Sequence, residues 1–599
     1  MFKNYLKVAL RNLWKSKSFS AINILGLAVG LATCLLIVLY VVDELSYDRY
    51  NQKAERIFRV DSDIRFGGAD LHLAVNSDLM GYTLKKDYPQ VEEYTRVYAS
   101  SGSKLVRKGS QFIEEQNVAH VDSTFFNVFT LPVLEGDTKS ALNEPNTVVI
   151  TESTAEKYFG TIHSLGKIIE ADKTPYKVTA VIKDVPKNSH FHLDFLFSMD
   201  NVEYDWGNYM SHNFQTYIVL RKGTDYKAFE KNFKTVIEKY VLPQARQFIQ
   251  VNSMEEFEKA GNKLVYSLTP LLHIHLRSDR FPELSTNGNI QYVYIFSAVA
   301  FFVLLIACIN FMNLSTARSA NRAKEVGVRK VLGTERKTLV AQFLIESTVT
   351  VIIALVLALG IAALVLPLFN DIAAKSLSIT ELISLRILPF LVLLPIVVGL
   401  LAGSYPAFFL SRFRPIEVLK GNVSAGFKKS GLRNALVVFQ FAISIILIMG
   451  TIIVYSQLRY IQTKNLGFNK DQVLIINGTG ALDNKVDAFK NEVLNMPGVK
   501  SGTLSGFLPV SNSSRNDNAF SNEAVMDSKN GLNMQGWRVD YDYIKTMGME
   551  IVKGRSFSRE FGSDSTAMII NETAAKFFNF KDPVGKKIYT YDNDNKLIS

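Results

Sequence analysis

Five long apolar runs free of Asp, Glu, Lys and Arg cut the chain into alternating segments, at residues 21–42, 292–314, 347–369, 387–410 and 435–456. Each holds 22 to 24 residues. At about 1.5 Å rise per residue, a run of that length crosses the roughly 30 Å hydrocarbon core of a bilayer. Backbone in hydrocarbon must satisfy its own hydrogen bonds, so each run is expected to be a helix. The pattern predicts a polytopic α-helical membrane protein with two aqueous lobes, residues 44–290 and 457–599.

The net charge of +11 would suit a nucleic-acid partner, but its distribution argues otherwise. Residues 1–19, 315–339 and 411–433 each carry a surplus of +5, and the rest of the chain is net acidic. All three lie on one side if every apolar run crosses once. The positive-inside rule places them in the cytoplasm, with the N-terminus, and puts both lobes outside. The basic balance thus reports orientation in an inner (plasma) membrane, and no nucleic-acid partner is expected.

Residues 1–19 read as a cytoplasmic amphipathic helix. Lys3, Lys7, Arg11 and Lys15 recur every four residues beside Phe2, Leu6, Leu10, Leu13 and Trp14. Such a helix would lie along the inner leaflet, although a simple topogenic charge cluster has the same composition. Within the first run, Gly26 and Gly30 form a GxxxG pair that permits close helix approach. Both cysteines, Cys34 and Cys308, fall inside runs, so they read as packing residues rather than a disulfide. The first run is too long for a cleaved signal and reads as a retained anchor.

The first lobe mixes signals for an α+β fold. Residues 147–150, 176–183, 193–198 and 216–221 read as strands, and 151–159 and 226–240 as helices. The second lobe repeats part of it. Residues 121–136 align without a gap on 539–554, and 149–169 on 568–588. Shared positions include Asp122/Asp540, Gly136/Gly554, Ala155/Ala574, Lys157/Lys576, Phe159/Phe578 and Gly166/Gly585. The order of the blocks predicts a tandem duplication of one span, one exported lobe and three spans, with the second copy incomplete.

Residues 306–333 (IACINFMNLSTARSANRAKEVGVRKVLG) and 342–347 (QFLIES) carry a further signal. With 43–60 (DELSYDRYNQKAERIFRV), 403–421 (GSYPAFFLSRFRPIEVLKG) and 433–441 (RNALVVFQF), they resemble the permease subunits of MacB/FtsX-type (type VII) ABC transporters, here in a duplicated-half form. The resemblance implies that the 315–339 segment couples the spans to a dimer of ABC ATPase subunits. On the matching positions it implicates Arg322, Lys324, Glu325, Gly327, Arg329, Lys330 and Gly333. It also implies a periplasmic adaptor and an outer-membrane channel as possible partners, with export of a drug, peptide or lipoprotein. The alternative it leaves open is force transmission to a cell-envelope hydrolase or signalling partner.

The residues themselves agree in part. Glu325 and Arg329 stand at i, i+4 in the favourable order for a short helix. Read on charge alone, the segment is better taken as an ordinary positive-inside loop, and only the resemblance favours a coupling role. Asn310, Asn313, Glu346 and Gln440 stand in or beside the runs, and they read as interhelical hydrogen-bonding groups. The chain has no GxxxxGK[ST], so no catalysis and no cofactor are expected here, with ATP and Mg²⁺ on the partner. His190-x-His192 and His273-x-His275 would each set two imidazoles on one strand face, but nothing nearby completes a zinc set. They read as strand-surface histidines, and no metal site is expected.

Overall fold

The structure, a computed structural model, describes residues 2–599 except 100–101, 248–250, 252, 318, 386, 412–430, 507, 510–515, 525–529, 592–596 and 599. At residues 2–4, 317, 319–324, 432–433, 591 and 597–598 it describes backbone alone. The chain divides into two compact units, Met1–Ser46 with Gly288–Lys464 and Tyr47–Asn287 with Asn465–Ser599.

The first unit holds the apolar runs, each inside a longer helix: Lys17–Glu44, Ile290–Ala317, Arg336–Ala373, Leu388–Ser411 and Gly431–Thr463. All five are long and apolar enough to cross a membrane. Leu27, Leu31, Leu35 and Leu39 form the buried ridge of the first span at four-residue spacing. The third span answers with small residues, Ala354, Ala358 and Ala362, so the helices come close. Gly26 and Gly30 both face the second span. A Cβ on Gly30 would stand 2.8 Å from Ala307 Cβ, and one on Gly26 3.4 Å from Asn310 Nδ2. A second pair, Gly399 and Gly403 of the fourth span, meets the third: their Cβ atoms would fall 2.5 Å from Thr348 Oγ1 and 2.6 Å from Ser347 Oγ.

Ahead of the first span, helix Phe2–Lys15 buries Ala9 and leaves Leu6, Leu10 and Trp14 exposed beside Lys7, Arg11 and Lys15. At the opposite end of the first span, Lys375 ties it to the end of the third, 2.8 Å from Asp43 and 2.7 Å from Glu44. Of the basic linker 411–433, residues 412–430 lie outside the described residues; Ser411 closes the fourth span and Gly431 opens the fifth.

In the second unit, the first lobe is built on one mixed sheet. Its strands are β1 (Ile57–Phe66), β2 (Ala69–Leu73), β3 (Val91–Tyr98), β4 (Lys104–Lys108), β5 (Gln111–Glu115) and β6 (Val118–Val121). They continue as β7 (Val133–Gly136), β8 (Thr147–Thr151), β9 (Ile168–Ala171), β10 (Thr174–Ile182), β11 (Phe195–Ser198), β12 (Gln215–Leu220) and β13 (Lys263–Pro270). The spatial order is β13-β1-β12-β3-β6-β11-β8-β10-β9-β4-β5, with β2 on β1 and β7 on β10. β6–β11 and β8–β10 pair in parallel and the others antiparallel. All six residues of β12 are buried, as befits a strand covered on both faces.

Two readings need correction. The helix expected over 226–240 is interrupted: Tyr226–Phe229, Asn232–Val236 and a wide π-turn at Ile237–Val241, although Phe229, Phe233 and Ile237 still share the buried side. The histidine pairs are not on strands. His273 and His275 lie on helix Leu271–Arg277, where Leu271, Ile274 and His275 are buried at three-to-four spacing, so the helical period overrides the apparent alternation. His190 is a buried loop residue, 2.8 Å from Asp48 Oδ1 and 2.9 Å from the Tyr217 hydroxyl. Among the described residues no cluster of His, Cys, Asp and Glu is arranged to hold a metal.

The second lobe repeats several backbone conformations of the first at aligned positions, although the stretches aligned with strands β7 and β8, residues 551–554 and 566–570, form no strand. Gly136 and Gly554 have φ of +87° and +86°, and Gly166 and Gly585 of +77° and +76°. Gly160 and its counterpart Asn579 are both left-handed, at +68° and +55°. Asp122 accepts from the Arg96 amide at 2.7 Å, and Asp540 from the Leu504 amide at 2.9 Å. Val97 pairs with Val121 and Ser505 with Val539. These contacts place residues 89–97 over 497–505, a third block in which Pro89/Pro497, Val91/Val499 and Thr95/Thr503 coincide.

Candidate functional site

The segment between the second and third spans folds as helix Ser319–Val331. It ends at Gly333, whose φ of +91° reverses the chain, with the Gly333 amide donating to Lys330 O and the Thr334 amide to Arg329 O, each at 3.1 Å. Only a residue without Cβ takes that conformation cheaply, which accounts for the glycine. The third span then starts at Arg336.

The inner face of this helix is seated on the ends of the third and fourth spans. Val326 is buried among Leu339, Phe343, Ala407 and Leu410, and Gly327 beside it is buried too. Arg329 donates to Gln342 Oε1 at 2.9 Å and to Glu325 Oε1 at 2.5 Å. Lys330 donates to Ser411 O at 2.7 Å, satisfying a terminal carbonyl of the fourth span with a cation. Burial, and then the neighbouring Arg336, push the Lys330 ammonium below its ordinary pKa. Arg336 also reaches Ser411, at 3.3 Å from its Oγ.

Of the residues the sequence singles out, Arg329, Lys330 and Val326's neighbour Gly327 therefore face the seat, and Glu325 is held by Arg329. The side chains of Arg322 and Lys324 lie outside the described residues. The outer face carries a feature that charge patterning hides: Val328, Val331 and Leu332 are 49%, 64% and 79% exposed. Three apolar side chains next to the left-handed Gly333 make a compact knob. The usable signal was the spacing of these residues opposite Val326 on a short amphipathic helix.

The first lobe has a second concentration of charge where the chain enters and leaves it. Arg59 of β1 is fully buried and donates to Asp61 at 2.6 Å, to Ser278 at 2.9 Å and to Glu283. Arg280 returns the tie, 2.9 Å from Asp61 and 3.0 Å from Asp63. On the entering side, Tyr47 stacks on His275 with ring centroids 3.4 Å apart. Ser285 of the leaving segment donates to His190 O at 2.8 Å, and His190 in turn holds Asp48 of the entering one. Buried ion pairs of this sort cost much to break and hold one geometry.

Residues 20–236 match the MacB-like periplasmic core domain and residues 297–415 the FtsX-like permease C-terminal region. The uncharacterized ABC transporter permease YvrN of Bacillus subtilis (strain 168) is 23% identical over 444 residues, covering 69% of this chain and 99% of that protein. The macrolide export ATP-binding/permease protein MacB of Haemophilus ducreyi (strain 35000HP / ATCC 700724) is 30% identical over 142 residues, 24% of this chain and 20% of that one. The crystal structure of the periplasmic region of MacB from Actinobacillus actinomycetemcomitans aligns with a TM-score of 0.24 and 14% identity, over 31% of this chain and 84% of that one.

Proposed function

With a MacB-like periplasmic core domain joined to an FtsX-like permease region, the chain is a permease of the MacB/FtsX type, and from that premise we propose that it is the membrane subunit of an ABC complex whose ATPase is a separate chain. The reading puts the three basic segments in the cytoplasm and the lobes in the periplasm, supported by the positive-inside distribution. One observation carries it. Helix Ser319–Val331 is bonded to the ends of two spans on one face and offers Val328, Val331 and Leu332 on the other. A rigidly seated helix with an apolar knob can receive a push from a partner and pass it to the spans. The paired backbone geometry at Gly136/Gly554, Gly166/Gly585 and Asp122/Asp540 supports a duplicated lobe.

The test is purification of the chain from its native membrane, with a P-loop ATPase expected to accompany it. In that complex Val331→Asp with Leu332→Asp should cut stimulation of ATP hydrolysis about tenfold or more, as loss of a desolvated apolar anchor does. Membrane insertion should be unchanged. Unaltered stimulation would remove the knob from the reading, and absence of any ATPase would remove the complex. Reversing Glu325 and Arg329 together is a poor probe, because the two bond each other and a reversed pair can still form.

For the cargo we favour export of a drug, peptide or lipoprotein, in keeping with the macrolide export protein it is similar to. A second reading, transmission of movement to an envelope hydrolase or signalling partner, draws on the buried ties at the entrance and exit of the first lobe. Export predicts that deletion raises cellular retention of some compound. The second reading predicts an altered envelope with none retained.

A further inference from the structure

Both lobes belong to the second unit, and they touch at the tip of one hairpin. β1 and β2 are joined by Gly67 and Gly68 alone, since Phe66 pairs with Ala69. Both glycines are left-handed, at φ of +56° and +80°. That is the pattern of a type I′ turn, the two-residue loop whose hand matches the twist of its strands. The tip stands against the second lobe, where β14 (Asp517–Ser521) and β15 (Leu532–Gln535) pair antiparallel. A Cβ on Gly67 would fall 2.6 Å from Leu532 Cα and 2.6 Å from Asn533 N, and closer still to Gly531 O. Among the described residues, one on Gly68 would meet only Phe577 Cε1, at 3.9 Å.

The turn does not by itself need glycine at both places. Asn-Gly is a pair that type I′ turns prefer, because asparagine tolerates the left-handed conformation. What position 67 lacks is room. The atoms that crowd it are backbone, which cannot swing aside as the end of a side chain can. We infer that the tip of this hairpin is a releasable coupling between the two lobes, and that Gly67 is the residue that lets it seat. Lys173 and Asp483 bridge the lobes at a second point, 3.0 Å apart, but both side chains are mostly exposed and such a pair adds little. A contact two turn residues wide is far smaller than a permanent interface, so it parts and reforms. β1 runs ten residues, about 33 Å, and carries the Arg59 tie at its other end. A shift at that end reaches the second lobe while the tip is seated and stops at the tip when it is free. Nothing here depends on the identity of the ATPase.

The test uses the full chain in nanodiscs, with Lys173→Cys and Asp483→Cys introduced together. A short bismaleimide joins the two thiols when the lobes are seated, and the yield is read by mass spectrometry of the linked peptide. The buried native cysteines, Cys34 and Cys308, give a different mass and do not count. Gly67→Asn keeps the turn, now Asn-Gly, and fills the space; it should lower the yield about fivefold or more. Gly68→Asn places the same side chain one residue on, where there is room, and should leave the yield within about twofold. The Trp206 fluorescence midpoint should be unchanged in both, showing that the first lobe stays folded. If Gly67→Asn does not insert, Gly67→Asp, whose Asp-Gly pair also suits the turn, takes its place. No link in the parent chain overturns the inference. So does a Gly67→Asn chain that links as well as the parent, and so does an equal loss in Gly68→Asn, which would trace the effect to the turn itself.

Discussion

The two lobes hold the same aspartate with different cations. In the first, Arg96 grips Asp122 with Nε at 3.0 Å and Nη2 at 2.8 Å, and its guanidinium lies 5.2 Å from the Trp206 ring and 5.6 Å from Phe214. In the second, Leu504 stands where Arg96 does, and Lys490 reaches Asp540 from a helix instead, at 2.6 Å. Lys490 bonds Asp542 equally closely, at 2.6 Å. The backbone arrangement is common to both lobes while the charge that fills it comes from another element. What the fold requires is an anion accepting from the neighbouring strand, and the donor of the positive charge is open to change.

That contrast can be broken most forcefully at the aspartates. Asp122→Ala strands a mostly buried guanidinium between aromatic rings and should cost about 3–5 kcal/mol. Asp540→Ala leaves Lys490 its second carboxylate and should cost roughly 1–2 kcal/mol. The chain has three tryptophans, Trp14 in the amphipathic helix, Trp206 in the first lobe and Trp537 in the second, so denaturation of a Trp14→Phe/Trp537→Phe chain reads the first lobe and of a Trp14→Phe/Trp206→Phe chain the second. Equal losses would mean that the aromatic setting of Arg96 contributes nothing. Next in size, Gly136→Ala drives a Cβ to 2.9 Å from Ala180 Cα and should cost about 2–4 kcal/mol. Among the described residues Gly554→Ala meets only Val584, at 3.5 Å, and should cost about 1 kcal/mol, the left-handed conformation alone.

The smallest effect is the response to acid. Burial works against ionised Asp540, yet bonds from Lys490, Thr503 and the Leu504 amide hold its pKa below the ordinary range. Arg555, with the Ser558 amide, pushes Asp564 down to about 2. Both folded values lie below the unfolded one, so their stabilisation is present above about pH 4 and is lost as pH falls toward 2. The Trp537 midpoint should fall across that window, and Asp540→Asn should flatten the fall. An unchanged slope in that variant would take Asp540 out of the acid response.

The spans were legible because hydrocarbon tolerates so little: an uncharged run of 22 residues has few other fates. Two aligned blocks were legible from their shared residues, and both carry glycines at positive φ. The block joining Pro89–Val97 to Pro497–Ser505 was not, because only three of its residues coincide and what relates them is a pair of amide-to-carboxylate hydrogen bonds across the fold. At the basic helix the sequence showed which residues carry charge, but not which way they turn. Arg329 and Lys330 point inward because Gln342 and the carbonyl of Ser411 wait there, and neither partner is near in sequence. With the cations drawn in, the apolar face is left outside. The Gly399/Gly403 pair was readable by the same rule that picked out Gly26 and Gly30, and it went unmarked.

The register of β1 on β13 has a mechanical consequence. Phe58 pairs with Pro270 and Arg65 with Lys263, so the chain enters the first lobe beside the point where it leaves. Tension that spreads those two segments would unzip the ladder one pair at a time, the direction in which a sheet yields most easily. Arg59 and Arg280 lace across that seam to Glu283, Asp61 and Asp63 and take the load before the first rung does. Under such a pull the lobe travels as a solid piece instead of fraying from its roots.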